Sequence, residues 1–144
     1  MKASASSQRI ESCAARGIVA LAGLMLLTPA LGSRVLTYHE VCFAQPAREM
    51  LATGRWIVPE IAGVVFPDKP PLAHWTVAAS MAVFGESEFA VRLPFALAGV
   101  ALASVVAEIG FVFWGPLVGV LAGLVQLTCY YTLLQSRWLS ATSC

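Results

Sequence analysis

Apolar and polar residues along this 144-residue chain fall into long blocks rather than alternating at short period. From Leu93 to Gln135 the one formal charge is Glu108. That run is too long for a single bilayer crossing, which takes about 20 residues. Trp114-Gly115-Pro116 divides it, because glycine ends helices and proline suits a first helical position. The pattern predicts one transmembrane helix over 87–113 and another over 116–134. Ser87 fits as the N-cap of the first, and Glu86 and Glu88 suit the positive end of its dipole. Pro94 should bend that helix near the interface. A charge-free stretch predicts a further transmembrane helix over 17–35, with Arg34 placed to snorkel. A secretory signal peptide would share this pattern, with Lys2, Arg9 and Arg16 ahead of an apolar core and Ala30-Leu31-Gly32 as the cleavage site. A polar lead of sixteen residues is long for a signal, so the membrane-span reading is preferred.

Composition sharpens the class. With 58% hydrophobic and 12% charged residues, the chain lies far from soluble proteins, which carry about 25% charged residues. The expectation is an all-α integral membrane protein in contact with the lipid bilayer. A net charge of +1 excludes the basic face that nucleic-acid binding requires. Cys13, Cys42, Cys129 and Cys144 show neither CxxC nor Cys/His spacing, and they read as small apolar filler. Three Lys or Arg lie in residues 1–16, against five in the 59 residues from Arg34 to Arg92. That asymmetry predicts a cytoplasmic tail over 1–16, an external loop over 36–86 and an external C-terminal tail over 135–144, although Arg137 weighs against it.

The loop over 36–86 is too long and too apolar for a plain connector. Thr37-Tyr38-His39-Glu40 has the form of a capping box, which starts a helix near His39. Pro46 should interrupt that helix, and Gly54 is a natural stop. A second short helix is expected from Pro70-Pro71 to Gly85, capped by Asp68. Its residues are apolar on nearly all sides yet too few to cross, so it should lie in the interface or pack on neighbours. Charge is expensive beside lipid, so a polar loop between such segments is where chemistry is sought. A lysine at a helix start, here Lys69, can hold a phosphate and stabilise a phosphate leaving group. A carboxylate nearby, here Glu40, can serve as general base. Asp68 and Glu40 can instead share a divalent metal ion with phosphate oxygens.

Plainer readings stand beside these. Glu40 fits as the back-bonding half of its capping box, Asp68 as a cap and Lys69 as an interface anchor. His39 and His74 fit as polar surface residues, and Arg48 and Glu49 as a solvated helix face. An i,i+4 pair with Glu88 accounts for Arg92. Glu108, deep in a span, should be protonated or face protein, and it motivates a transporter or channel reading. A small non-catalytic membrane subunit is the other alternative.

The ordered string HEVCFAQPAREMLATGRWIVPEIAGVVFPDKPPLAHW, followed by FGESEFAVRLP, resembles the first external loop of the dolichyl-phosphate-mannose–protein mannosyltransferase superfamily. It is most similar to the bacterial branch that includes the aminoarabinose transferase acting on lipid A. The resemblance runs from about Thr37 to Gly99. It implies the GT-C fold, with about three transmembrane helices here plus interfacial helices in the first external loop. It also implies transfer of a sugar from a polyprenyl-phosphate donor, with inversion, in the bacterial cytoplasmic membrane. By position, Glu40 falls in the acidic pair that holds a catalytic acidic residue, and His39 stands where that pair usually begins with Asp. Asp68-Lys69 matches the element that meets the donor phosphate and, in some members, a metal. Arg48 and Glu49 match the element of the first interfacial helix. Family members are several times longer, so the resemblance implies an N-terminal portion whose partner is the remainder of a longer enzyme.

Overall fold

A computed structural model describes residues 5–28, 31–33, 35–65 and 70–129, and side chains of 5–13 and 15 are not described. The described residues form five helices and one small ribbon: α1 (Ala5–Leu27), α2 (Tyr38–Thr53), β1 (Glu60–Ile61), β2 (Val64–Val65), α3 (Pro71–Phe84), α4 (Glu88–Trp114) and α5 (Pro116–Thr128). Contacts divide the described residues into two units that part between Phe95 and Ala96, within α4.

The first unit joins α1, α4 from Ala96 onward, and α5. Helix α4, 27 residues with an 18-residue stretch of mean hydropathy 2.1, is the one helix among the described residues long and apolar enough to cross a membrane. It ends at Gly115, whose φ of 97° needs glycine, and Pro116 opens α5. Pro94 lies in its second turn without breaking it. The interfaces here are built on close backbone approach. A Cβ on Gly119 would sit 2.7 Å from the Ala107 carbonyl, and one on Gly123 would sit 2.8 Å from Val19. Small residues spaced four apart let helices meet this way where lipid removes the hydrophobic drive to associate.

Helix α1 differs from the span expected over 17–35. It begins at Ala5, within the polar lead, and ends at Leu27. The early stop follows from Thr28-Pro29, since the residue before a proline is driven out of the helical region. Glu108 is neither solitary nor enclosed. Its carboxylate accepts Arg16 Nε at 2.5 Å and Nη2 at 2.6 Å, which removes the motive for the transporter reading. The expected end of the third span and the tail over 135–144 lie outside the described residues.

The second unit holds the described residues between 31 and 95. Its core joins Phe43, Ala44 and Ala47 of α2 to Val77, Ala78 and Met81 of α3, closed by Ala90 and Val91 at the start of α4. Helix α2 runs unbroken through Pro46, contrary to the interruption expected there. Pro46 is buried, so packing on that face outweighs the one backbone bond a proline removes. Gly54, with φ 71°, closes α2 by donating its N–H to the Met50 carbonyl. At α3 the capping position is Pro70 rather than Asp68, and no side-chain cap is made there. Ser87 does cap α4, accepting Ala90 N–H at 3.2 Å.

The all-α expectation also missed a hairpin. β1 pairs antiparallel with β2, and both residues of its turn, Ala62 (φ 53°) and Gly63 (φ 78°), have positive φ. That is the type I′ signature. Ala62 tolerates the left-handed region because its N–H donates to Glu49 Oε1 at 2.6 Å. Ala62→Gly should therefore stabilise this unit by about 1 kcal/mol, the usual penalty of a Cβ in that region. Denaturant unfolding in detergent should show a raised midpoint, and Ala62→Val a lowered one.

Candidate functional site

One buried guanidinium ties together three places in the second unit. Arg92 lies in the second turn of α4 with 2% of its side chain exposed, and the Glu40 carboxylate it meets is 0% exposed. Nε donates to Glu40 Oε1 at 2.6 Å and Nη2 to Oε2 at 3.0 Å. Nη1 donates to the Leu31 carbonyl, and Nη2 reaches the Val35 carbonyl at 3.3 Å. Glu40 Oε2 also accepts the Thr37 N–H at 2.7 Å and the Thr37 hydroxyl at 3.0 Å. The capping box is thus realised, and the Thr37 hydroxyl also gives its proton to Glu40.

This arrangement bears on two expectations. Arg92, expected to pair with Glu88, is a buried hub: Glu88 adds a weaker attraction, while Glu40 accepts its hydrogen bonds, and that hub is what sequence reasoning missed. Its signal was an arginine inside an otherwise apolar helix, which calls for a buried acceptor. Glu40, expected as base or metal ligand, is engaged at both oxygens and has no face open to water or substrate. Burial alone would raise its pKa, but the hydrogen bonds from Arg92 and from Thr37 outweigh it and hold the carboxyl below the usual carboxylate range. A lowered pKa makes a poor proton acceptor, and a guanidinium in contact repels a cation. Glu40 therefore does not fit a metal. Among the described residues no group of three or more His, Cys, Asp or Glu is placed to hold one.

His39 precedes Glu40 in the same turn and is half-buried, its ring edge-on to Tyr38 at 5.9 Å. Its Nδ1 is buried without a hydrogen-bond partner among the described residues, whereas Nε2 is not enclosed in this way. Arg48 is paired with Glu86 at 2.7 Å, both about half exposed. The two flank a cavity of about 190 Å³, lined also by Gln45, Met81 and Glu88. Glu49 pins the hairpin turn and is structural. His74, expected at the surface, is 0% exposed and packs on Phe43 with ring centroids 5.6 Å apart. Burial pushes its imidazole pKa down, and the Phe43 backbone offsets this only in part. Asp68 and Lys69 lie outside the described residues.

Comparison with known proteins bears on what such a unit serves. Residues 68–142 match the family described as dolichyl-phosphate-mannose-protein mannosyltransferase. The chain is 32% identical over 138 residues to the undecaprenyl phosphate-alpha-4-amino-4-deoxy-L-arabinose arabinosyl transferase of Edwardsiella ictaluri, covering 84% of this chain and 24% of that protein. The protein of the same name from an Enterobacter species is 36% identical over 91 residues, or 62% of this chain and 16% of that one. For Pseudomonas savastanoi pv. phaseolicola the figures are 43% over 58 residues, 40% and 11%. The chain thus spans about a quarter or less of the length of these relatives. No solved structure matches it.

The Arg92–Glu40 pair sets a pH dependence. Because the folded pKa of Glu40 is depressed, its contribution is fully present above the unfolded value and is lost as pH falls through the folded one. Unfolding midpoints should fall as pH drops below about 4, where unpaired carboxylates protonate. Arg92→Ala, which leaves Glu40 buried and unpaired, should cost about 3–5 kcal/mol at neutral pH. Denaturant titrations of both proteins between pH 3 and 7 check the two statements together.

Proposed function

The chain belongs to the dolichyl-phosphate-mannose-protein mannosyltransferase family, and we propose from that premise that it serves a bacterial membrane glycosyltransferase drawing on a polyprenyl-phosphate-linked sugar. The carrying observation is the match over 84% of this chain to a protein whose name specifies an undecaprenyl phosphate-linked aminosugar. The fold supports it physically. Helix α4 is long enough for the bilayer, at about 1.5 Å per residue against a hydrocarbon core of about 30 Å. The second unit presents exposed apolar side chains, among them Ile57, Val64, Leu72 and Phe84, beside buried charge. A substrate with a lipid tail and a phosphate head suits such a surface. The excess of Lys and Arg in residues 1–16 supports a cytoplasmic N-terminus with this unit outside.

In this reading the acceptor oxygen attacks the anomeric carbon opposite the phosphate. The bond from that carbon to the phosphate oxygen breaks, and configuration inverts. Lys69, next to the start of α3, contacts the phosphate and stabilises its departure. Arg48, paired with Glu86 at the cavity rim, brings no net positive charge of its own there. The proton of the acceptor passes to His39, because Glu40 is already engaged and His39 is the group of α2's first turn with a ring nitrogen to offer.

Binding of the carrier tests this reading. The chain reconstituted in nanodiscs should bind undecaprenyl phosphate saturably, measured by native mass spectrometry or scintillation proximity. Lys69→Ala should weaken binding roughly tenfold or more, since a hydrogen bond to a charged group is worth about 1.5–3 kcal/mol. The exposed Arg55→Ala should not. Uptake that never saturates, or that Lys69→Ala leaves unchanged, would remove the proposal and favour a non-catalytic membrane subunit.

A further inference from the structure

We infer that Arg92 is a positioning residue whose guanidinium sets the direction in which His39 faces the lipid-borne substrate; the inference rests on the reading just given. One planar group reaches three places on the chain leading into α2: the Leu31 carbonyl, the Val35 carbonyl and the Glu40 carboxylate. Each lies 52 or more residues from Arg92 in sequence, so the start of α4 holds a segment that no local bond could fix there.

Stability alone is a weak reason for such a group. Burying two charges costs about what their attraction returns, and apolar side chains of similar volume often serve as well. What a guanidinium supplies and an apolar group does not is direction. Its fork meets both carboxylate oxygens of Glu40 in one plane, which fixes the rotation of that side chain. Glu40 is tied in turn to the Thr37 N–H and hydroxyl, so the first turn of α2 is set about its own axis. His39 lies within that turn, between two residues whose positions are fixed. The direction in which its side chain leaves the helix is therefore set by that turn, and the buried Nδ1 makes no bond of its own to the described residues that would set it otherwise. In one turn of helix, the carboxylate holds and the imidazole is held.

The experiment separates binding of the carrier from the response of His39. The reconstituted chain is labelled at histidine side chains with ¹⁵N, with His39 assigned by a His39→Gln control. Undecaprenyl phosphate is then titrated while its affinity is measured on the same samples. In the parent, the carrier should bind and shift the His39 ring resonances. In Arg92→Lys, which keeps a charge but loses the fork, affinity should stay within about threefold while the His39 response falls to less than a third. That split is the signature of positioning. If Arg92→Lys keeps both binding and response, the fork is not needed and the inference is overturned. Loss of both makes Arg92 a structural residue, which also overturns it. Should Arg92→Lys lose its helical circular dichroism, Glu40→Gln, which retains shape and acceptor oxygen, is judged by the same split. A parent that binds the carrier with no change at His39 overturns the inference and leaves the functional reading standing. A parent that does not bind it overturns the functional reading, and this one with it.

Discussion

A charge removed from water must meet its opposite, and most of this structure follows from how the chain satisfies that requirement. Arg92 and Glu40 are both buried, and neither could stay so alone. Their pairing fixes the entry to α2, and that entry sets which faces of α2 and α3 meet over Phe43, Val77 and Met81. Arg16 and Glu108 answer the same requirement in the first unit, where α1 and α4 carry few other charges. That pair is far more open than the one at Glu40, with 54% and 37% of the side chains exposed. The difference separates a contact at a surface from one that organises a core. In each unit one such Arg–Glu pair joins two helices.

Local grammar carried much of the fold and little of the site. The capping box at Thr37, the stop at Gly54, the break at Gly115-Pro116 and the cap at Ser87 are short-range features, and each is realised by a bond or dihedral within a few residues. The misses were those that need the third dimension. Pro46 reads as a breaker, yet its buried face is packed strongly enough for the helix to continue. The hairpin escaped notice because its strands are two residues each, and an alanine rather than Asn or Asp holds the first turn position. The Ala62 N–H donates to Glu49, thirteen residues away, a contact that the local sequence does not announce. Arg92 reads as a partner of Glu88 because an i,i+4 neighbour is the nearest acid in sequence. Nothing in the sequence shows that Glu40 is nearer in space.

Glu40 shows why a motif and a role are separable. The same carboxylate fits a capping box, a general base and a metal ligand on paper. The structure engages both of its oxygens with Thr37 and Arg92, and its capacity to accept is used in that way. Residue type and spacing could name the candidate, but only the census of donors around it decides which task it can perform.

The imidazole at position 39 changes the electrostatics of the proposed reaction. A carboxylate base is anionic before it takes a proton, so it is repelled by the phosphate of the donor until the reaction is under way. An imidazole is neutral before and cationic after, so the attraction appears as the phosphate departs with its charge. That places stabilisation in the transition state rather than in the bound complex, where it accelerates the step instead of merely tightening binding. The neighbouring Arg92–Glu40 pair has no net charge and leaves this change in sign uncompensated from behind. A histidine beside a neutralised carboxylate is therefore a coherent arrangement for a phosphate leaving group, and it asks of Glu40 only that it stay where Arg92 holds it.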